Sequence, residues 1–430
     1  MQHDARNVPV DEISRERLAE RGLDYRTVPT DGDGFAPFQQ ASARGFLEGE
    51  ATAELIEAMR RWWHERRTRS IAVYDAGSAE TTTPAATVAS WVTPLTVPGG
   101  ELDMWAISDV TVAGTHRRRG IARAMLEGEL RAAADAGLAI AGLTVSEATI
   151  YGRYGFGPAI PVAGVRVDTR RAGWIGGAPA LRPEYVERAD LAAALAEVHE
   201  RSRTERVGDI AGFSSRWERI AGIGPGQPDG TKTRGIVVRD ETGAIRGAMA
   251  FTLTPDEADF TKHTLAIGHL VGDGADARAA LWRFALQHDL VSTVTAQLQP
   301  VDDALPWLVA DQRAIIRTVH DHGWLRILDL PAAFGARTYA ADADVTIRVR
   351  DPLGFADGTW RLHTGRAIAE PSAADPDIEL GVAELATVFL GGAPLAALAD
   401  AGRASGDAAA IRALDAALRP ARAPHLSIWY

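Results

Sequence analysis

Arginines at 117, 118 and 119 run straight into Gly120, and Ile121 and Ala122 open a helical pattern. Such a turn suits an anion. The first N–H groups of a helix have no partner inside it, and the helix dipole is positive at that end. Glycine lets the main chain come close to a ligand. A pyrophosphate can therefore rest on the helix start, while arginines add charge-assisted donors. The spacing is neither the GxxxxGK[ST] of a P-loop nor the GxGxxG of a dinucleotide fold. A basic helix cap facing solvent is the plainer alternative.

The elements around the turn must hold it in place. Before it, Val110 and Val112 alternate with polar neighbours, which predicts a strand. After it, Leu126, Leu130, Ala133 and Ala134 fall on one face of a helix. LAIAGLTV (138–145) predicts the next strand, and the aromatic turn YGRY (151–154) follows. Strand, basic turn and helix form the context that a phosphate-binding turn needs.

Composition narrows the class. A chain of 430 residues is too long for one ordinary domain and predicts two or three. The hydrophobic fraction of 46% supports packed cores and excludes global disorder. Cysteine is absent, which excludes disulfides, thiolate zinc sites and a cysteine nucleophile and fits a reducing cytoplasm. The opening MQHDARNVPVDE lacks the apolar core of a signal peptide, and no apolar run is long enough to span a bilayer. The expected location is the cytoplasm. A formal net charge of -11 argues against nucleic acid and for a cationic partner.

Arg117-Arg118-Arg119-Gly120-Ile121-Ala122 resembles motif A of the GNAT N-acetyltransferases, (Q/R)xxGx(G/A), which holds the pyrophosphate of acetyl-CoA. SEATIYGRYGFGPA (146–159) closely resembles a segment of the Eis-type (enhanced intracellular survival) acetyltransferases. With THRRRG upstream, the chain is identified as a member of that family.

The resemblance implies an α/β (α+β) chain of tandem GNAT domains, the second degenerate, followed by a sterol carrier protein-like domain. The expected boundaries are 1–24 for a loosely packed N-terminal extension, 25–170 for the catalytic domain, 171–325 for the degenerate one and 326–430 for the last. ATAELIEAMRRWWHERR (51–67) reads as a helix with half-buried tryptophans and solvated arginines. EYVERADLAAALAEVHERSR (184–203) reads as the helical start of the second domain. Further on, TLAIGHLVGDGADARAALWRFALQ repeats the strand–turn–helix order. Asp273 and Asp276 stand there in place of the arginines and would repel a pyrophosphate.

The same resemblance assigns roles. Val110, Thr111 and Val112 match the strand whose backbone pairs with the pantetheine arm. Arg118, Arg119, Gly120, Ile121, Ala122 and Arg123 match the pyrophosphate turn. Ser146 and Glu147 match residues beside the cofactor, although Ser146 could equally cap a helix. Tyr151 corresponds to the general acid. A phenol with a pKa near 10 stays protonated at neutral pH and can donate to a departing CoA thiolate. Tyr154 reads as structural. The family's base is the C-terminal carboxylate, here that of Tyr430. Its reference pKa of about 3.3–3.7 makes it ionised and weakly basic unless partly desolvated. The apolar tail HLSIWY should be packed, with Leu426, Ile428 and Trp429 buried. His116 is a rival base by pKa but is expected at the cofactor rim.

The implied protein is an acetyl-CoA-dependent N-acetyltransferase without metal, acting by direct attack in a ternary complex. Its implied acceptor is a polycationic amine, an aminoglycoside or a lysine side chain, and its implied assembly a homohexamer. Two other readings stand beside it. One is a GNAT enzyme acylating another small amine. The other is a non-enzymatic carrier of apolar ligands through the last domain. The RRRG turn and Tyr151 favour the enzyme.

Overall fold

A computed structural model describes residues 4–227 and 229–430. The chain forms two compact units. The first comprises residues 1–159, 323–420 and 430, and the second 160–322 and 421–429.

Unit 1 begins with α1 (Glu12–Ala19), β1 (Leu23–Thr27), α2 (Phe35–Gly45), α3 (Ala53–Arg66), β2 (Arg69–Asp75), β3 (Ala86–Val97) and β4 (Gly100–Val112). Then come α4 (Ile121–Asp135), β5 (Ile140–Thr144), α5 (Ala148–Tyr151) and the start of β6 (Gly157–Asp168). Strands β1 to β4 pair antiparallel in chain order, and β4 pairs parallel with β5. Helix α4 carries most of the predicted face, with Ala134 only half-buried at its edge. Leu126, Leu130 and Ala133 are fully buried with Met125 against Trp105, Ile107 and Leu143. Full burial of each leucine is worth about 1.5–3 kcal/mol.

The N-terminal segment is not the loose extension that its polar composition suggests. Leu18 and Ala5 lie in the core. Asp11 receives two hydrogen bonds from Arg131, at 2.9 and 2.8 Å. Arg69 donates to the carbonyls of Val8 (3.1 Å) and Pro9 (2.9 Å) and pairs with buried Glu129. Ser90 (2.6 Å) and Trp105 (3.2 Å) also donate to Glu129. A buried carboxylate persists only when it is so satisfied. The tryptophans of α3 are buried rather than half-buried. Trp63 meets Phe35 and Phe38 edge-on at 5.4 and 5.5 Å.

Unit 2 holds the rest of β6, α6 (Thr169–Ala172), β7 (Arg182–Val186), α7 (Arg188–Ser202), α8 (Ser214–Ile220), β8 (Arg234–Arg239), β9 (Ile245–Thr254) and β10 (His263–Gly272). It continues with α9 (Ala275–Leu286), β11 (Val291–Gln299) and most of β12 (Ile315–Ile327). Here EYV is strand, not helix, because it pairs with β8 before Glu187 opens α7. Its sheet repeats the pattern of unit 1. Strands β7 to β10 are antiparallel in order, β10 and β11 are parallel, and an antiparallel strand follows. That last strand is β6, from the end of the first repeat. In unit 1 the matching place beside β5 is taken by Gly323–Ile327 of β12.

The remainder of unit 1 is α10 (Leu330–Gly335), β13 (Asp344–Arg350), β14 (Gly358–His363), β15 (Ile368–Pro371), β16 (Ile378–Gly381), α11 (Val382–Val388), α12 (Leu395–Asp400), β17 (Ala404–Gly406) and α13 (Ala408–Leu418). Its five strands lie in the order β15-β14-β13-β16-β17. Ile411, Leu414 and Leu418 bury the predicted face of α13. Among the described residues, no helix is long and apolar enough to cross a membrane.

Candidate functional site

The site of unit 1 begins where two parallel strands part. Strands β4 and β5 pair only at Met104↔Ile140, Trp105↔Ala141 and Ala106↔Gly142. Beyond Ala106 a wedge opens between them. Against β3, the register of β4 shifts between Ser108 and Thr111. At this bulge Asp109 has φ +51, a left-handed backbone that only its surroundings can hold. Thr87 donates to its carbonyl at 2.8 Å and Ser42 to its carboxylate at 2.8 Å. Val110, Thr111 and Val112 thus run along the parted arm. Thr111 is buried and bonded to Thr87 at 2.6 Å, so its hydroxyl is committed within the strand pair.

The basic turn follows directly. Gly120 caps α4 with φ +75, which favours glycine. A Cβ there would lie 2.7 Å from Arg21 Nη1, which donates to the Arg119 carbonyl. Arg21 is thus part of the turn, and no pattern in the sequence marked it. Arg118 (φ +62) and Arg117 are exposed, Ile121 is buried and Ala122 half-buried. Arg119 pairs with Asp75 at 2.9 Å, and His116 meets the same oxygen at 3.2 Å. Arg119 is the main reason that the Asp75 carboxyl sits below its usual range. His116 is therefore engaged at the turn, and Arg123 is engaged by Glu127 at 2.6 Å. A cavity of about 640 Å³ adjoins, lined by Thr111–Arg117, Asp75, Glu80 and Arg44 among others. Open helix N–H groups, a close main chain and cationic side chains fit a pyrophosphate.

At the end of β5 the expected residues divide. Ser146 and Glu147 are exposed. Ser146 does not cap α5; Glu147 holds that position and makes no side-chain cap bond. Tyr151 is buried, with its ring edge-on to Phe156 at 6.2 Å. Burial, then the charge of Glu147, pushes its phenol above 10. Tyr154 is buried too, and its carbonyl accepts from Arg326 Nε at 2.7 Å.

Tyr430 completes the group. Thr144 Oγ1 donates to its main-chain oxygen at 2.6 Å. Its ring meets Trp91 edge-on at 5.5 Å, and the Arg66 guanidinium lies 3.9 Å over the other ring, that of Trp91. Burial pulls Arg66 down to about 10. A Cβ on Gly142 would overlap Met104 Sδ and lie 3.1 Å from the Tyr430 hydroxyl, so glycine at the last paired position of β5 makes room chiefly for Met104 and also for the Tyr430 ring. Sequence reasoning named Tyr430 but missed Thr144, Trp91, Arg66 and Asp109. They come from four separate elements and share no motif.

Unit 2 carries the same wedge without the same turn. Strands β10 and β11 pair from His263↔Val291 to Ile267↔Ala296 and then part. Asp273 stands at the start of α9, bound by Arg201 at 2.8 Å and Arg246 at 3.1 Å. The two arginines are thereby committed to a carboxylate of the chain itself.

Comparison with known proteins agrees with these repeats. Residues 29–159 and 213–327 match models of an acetyltransferase (GNAT) domain, and 330–427 match a sterol carrier protein domain. An uncharacterized N-acetyltransferase of Streptomyces griseus is 34% identical over 419 residues, covering 94% of this chain and 98% of its own length. The N-acetyltransferase Eis of Mycobacterium tuberculosis (strain H37Ra) is 32% identical over 338 residues, 75% of this chain and 80% of Eis. Among solved structures, Eis1 of Mycobacterium abscessus superposes with a TM-score of 0.80 at 28% identity, over 95% of this chain and 100% of that one. Two GNAT repeats, a sterol carrier-like end and kinship along most of its length make this chain an acyltransferase, a member of the Eis family of N-acetyltransferases.

Proposed function

We propose that the wedge of unit 1 acetylates a cationic amine with acetyl-CoA, in a ternary complex and without a covalent acyl-enzyme. The observation that carries this reading is the Tyr430 main-chain oxygen, a carboxylate oxygen when the chain ends there, held by Thr144 at the end of β5. The basic turn and α4 hold the pyrophosphate, and the parted arm Val110–Val112 aligns the pantetheine. Ser146 and Glu147 flank the donor. The carboxylate takes a proton from the acceptor ammonium. The nitrogen then attacks the thioester carbon, the C–N bond forms and the C–S bond breaks. Tyr151 protonates the leaving thiolate and is restored by the second nitrogen proton. The products are an amide, CoA thiol and one proton.

Aminoglycosides and lysine side chains are the acceptor class that fits. Two carboxylates, those of Asp109 and Tyr430, belong to this region, and the chain carries a net charge of -11. Another cavity of unit 1, about 740 Å³, is lined by Arg6, Arg60 and Arg61 against Asp31 and Glu57 and offers no net negative charge. We further propose a homohexamer, on the family resemblance, to be read by light scattering.

The test is a panel of amines with acetyl-CoA, following CoA thiol release at two salt concentrations. A polycation should be preferred, with a KM that rises with salt because exposed charges are screened over about 8 Å at physiological ionic strength. Preference for a neutral or anionic amine, or a salt-independent KM, would overturn the acceptor class.

A further inference from the structure

The wedge of unit 2 is not empty of chain. Past Ile267↔Ala296, its arms carry His269 on β10 and Leu298 on β11. His425 meets the β11 arm, and residues 427 and 428 are held by the 207–210 loop, α7 and β12. His425 Nε2 meets the Leu298 carbonyl at 2.7 Å, and its main-chain N–H donates to the Val207 carbonyl at 2.9 Å. Ser427 donates to Asp209 Oδ1 twice, from its main-chain N–H and its hydroxyl, both at 3.3 Å. Asp209 is itself buried and also accepts from the Ile210 N–H at 3.2 Å. Ser427 Oγ stands 3.5 Å from His199 Nδ1, and His322 Nε2 donates to the Ile428 carbonyl at 3.0 Å. Leu426 and Ile428 are buried to 1% exposure. The histidines do not gather as metal ligands would; no such group occurs among the described residues.

A segment with every second side chain apolar, and its polar groups bonded one by one, is a bound peptide rather than a loose end. It lies in the feature that, in the first repeat, opens to receive the acyl donor. Trp429 is the last residue of unit 2, and Tyr430 follows it directly in the chain.

We propose that the second repeat has exchanged its acyl-donor wedge for a peptide-binding one. Its ligand is the chain's own His425–Ile428, and Asp209 is thereby a positioning residue for the Tyr430 carboxylate. The second half of this inference rests on the carboxylate being the base. With the peptide held, the chain leading into Tyr430 starts from a fixed point. Released, the carboxylate would reach its productive geometry only part of the time. Misplacement of a reacting group by about 1 Å costs on the order of 10²-fold in rate.

The test uses the full chain with Asp209→Ala and Asp209→Asn. Carboxypeptidase followed by mass spectrometry reads docking, and steady-state kinetics read positioning. Asp209→Ala should expose the tail to trimming and lower kcat about 10²-fold, with the Kd for acetyl-CoA unchanged. Asp209→Asn keeps an acceptor oxygen and should restore both readouts. A tail that stays protected in Asp209→Ala would overturn the docking. A trimmed tail with wild-type initial kcat would overturn the positioning role. A full-length chain whose C-terminal carboxyl is converted to the amide separates that failure from failure of the base, since full activity there removes the carboxylate from the mechanism altogether. Should Asp209→Ala not fold, Ser427→Pro removes both donors from the tail side, and the same outcomes decide.

Discussion

Arg326 and Asp351 form a fully buried ion pair, with Arg326 Nη2 donating to both carboxylate oxygens at 2.7 and 2.8 Å. Arg326 lies near the end of β12, paired with Ala141 of β5, and Asp351 follows β13. The same guanidinium donates through Nε to the carbonyl of Tyr154, in the turn after Tyr151. One arginine therefore ties the sterol carrier-like sheet to the turn that carries the proposed acid. Asp351 also accepts from the N–H groups of Leu353 (3.0 Å) and Ala356 (2.9 Å), so every partner is satisfied.

Removing one member of such a pair strands a buried charge, at a cost of about 3–5 kcal/mol. Asp351→Ala should lower the free energy of unfolding by that amount, read from the midpoint and slope of chemical unfolding. It should also reduce turnover in the folded fraction, because the Tyr154 turn loses its anchor. Unchanged stability would mean that water replaces the carboxylate without cost.

Acetyl-CoA should bind once per chain. The first turn offers Gly120 and open N–H groups, whereas in the second Asp273 is paired with Arg201 and Arg246. Isothermal titration should give one site, and Gly120→Val should weaken it by at least tenfold by straining a positive φ and crowding Arg21. Two sites per chain would contradict the reading of the second repeat.

Tyr151→Phe keeps the edge-on contact with Phe156 and removes only the hydroxyl. Turnover should fall about 10²–10⁴-fold, with acetyl-CoA affinity unchanged. The raised phenol pKa fixes the sign on the alkaline side. Tyr151 stays protonated beyond its ordinary value, so kcat should show no alkaline decline below pH of about 10 from this group. Wild-type turnover in the variant would remove Tyr151 from the mechanism.

Much of this site was legible in the sequence because its parts are local. The strand, the RRRG turn and α4 are contiguous, and their periodicities fix both direction and buried face. What was not legible depends on contacts far apart in sequence. The N-terminal segment reads as an extension because its anchors, Arg69 and Arg131, lie in β2 and α4. Strand β7 reads as helix because only its pairing with β8 makes it strand. The tail was expected to be packed, and Leu426 and Ile428 are, but Trp429 is 42% exposed and rests edge-on against His322 at 4.4 Å. Thr144 carries no signal at all until Tyr430 arrives beside it.

Acid should unfold unit 2 first. Burial drives the imidazoles of His269 down to about 3 and of His322 and His425 to about 4. Neighbouring charges act in both directions. Asp209 favours the charged forms of His322 and His425, whereas Arg206, Arg216, Arg278, His199 and His320 oppose protonation around the cluster. All three histidines are thus neutral in the fold and titrate near 6.5 when unfolded. The unfolded chain binds more protons below that value, so the stability these groups contribute is present above pH 6.5 and is lost as pH falls toward 4. At pH 5 the loss is about 2 kcal/mol for each histidine. Urea midpoints should therefore fall between pH 7.5 and 5. The change should shrink when His269, whose Nε2 has no protein partner, is replaced by Phe. A midpoint independent of pH over that range would show that the cluster is hydrated and titrates as it does in water.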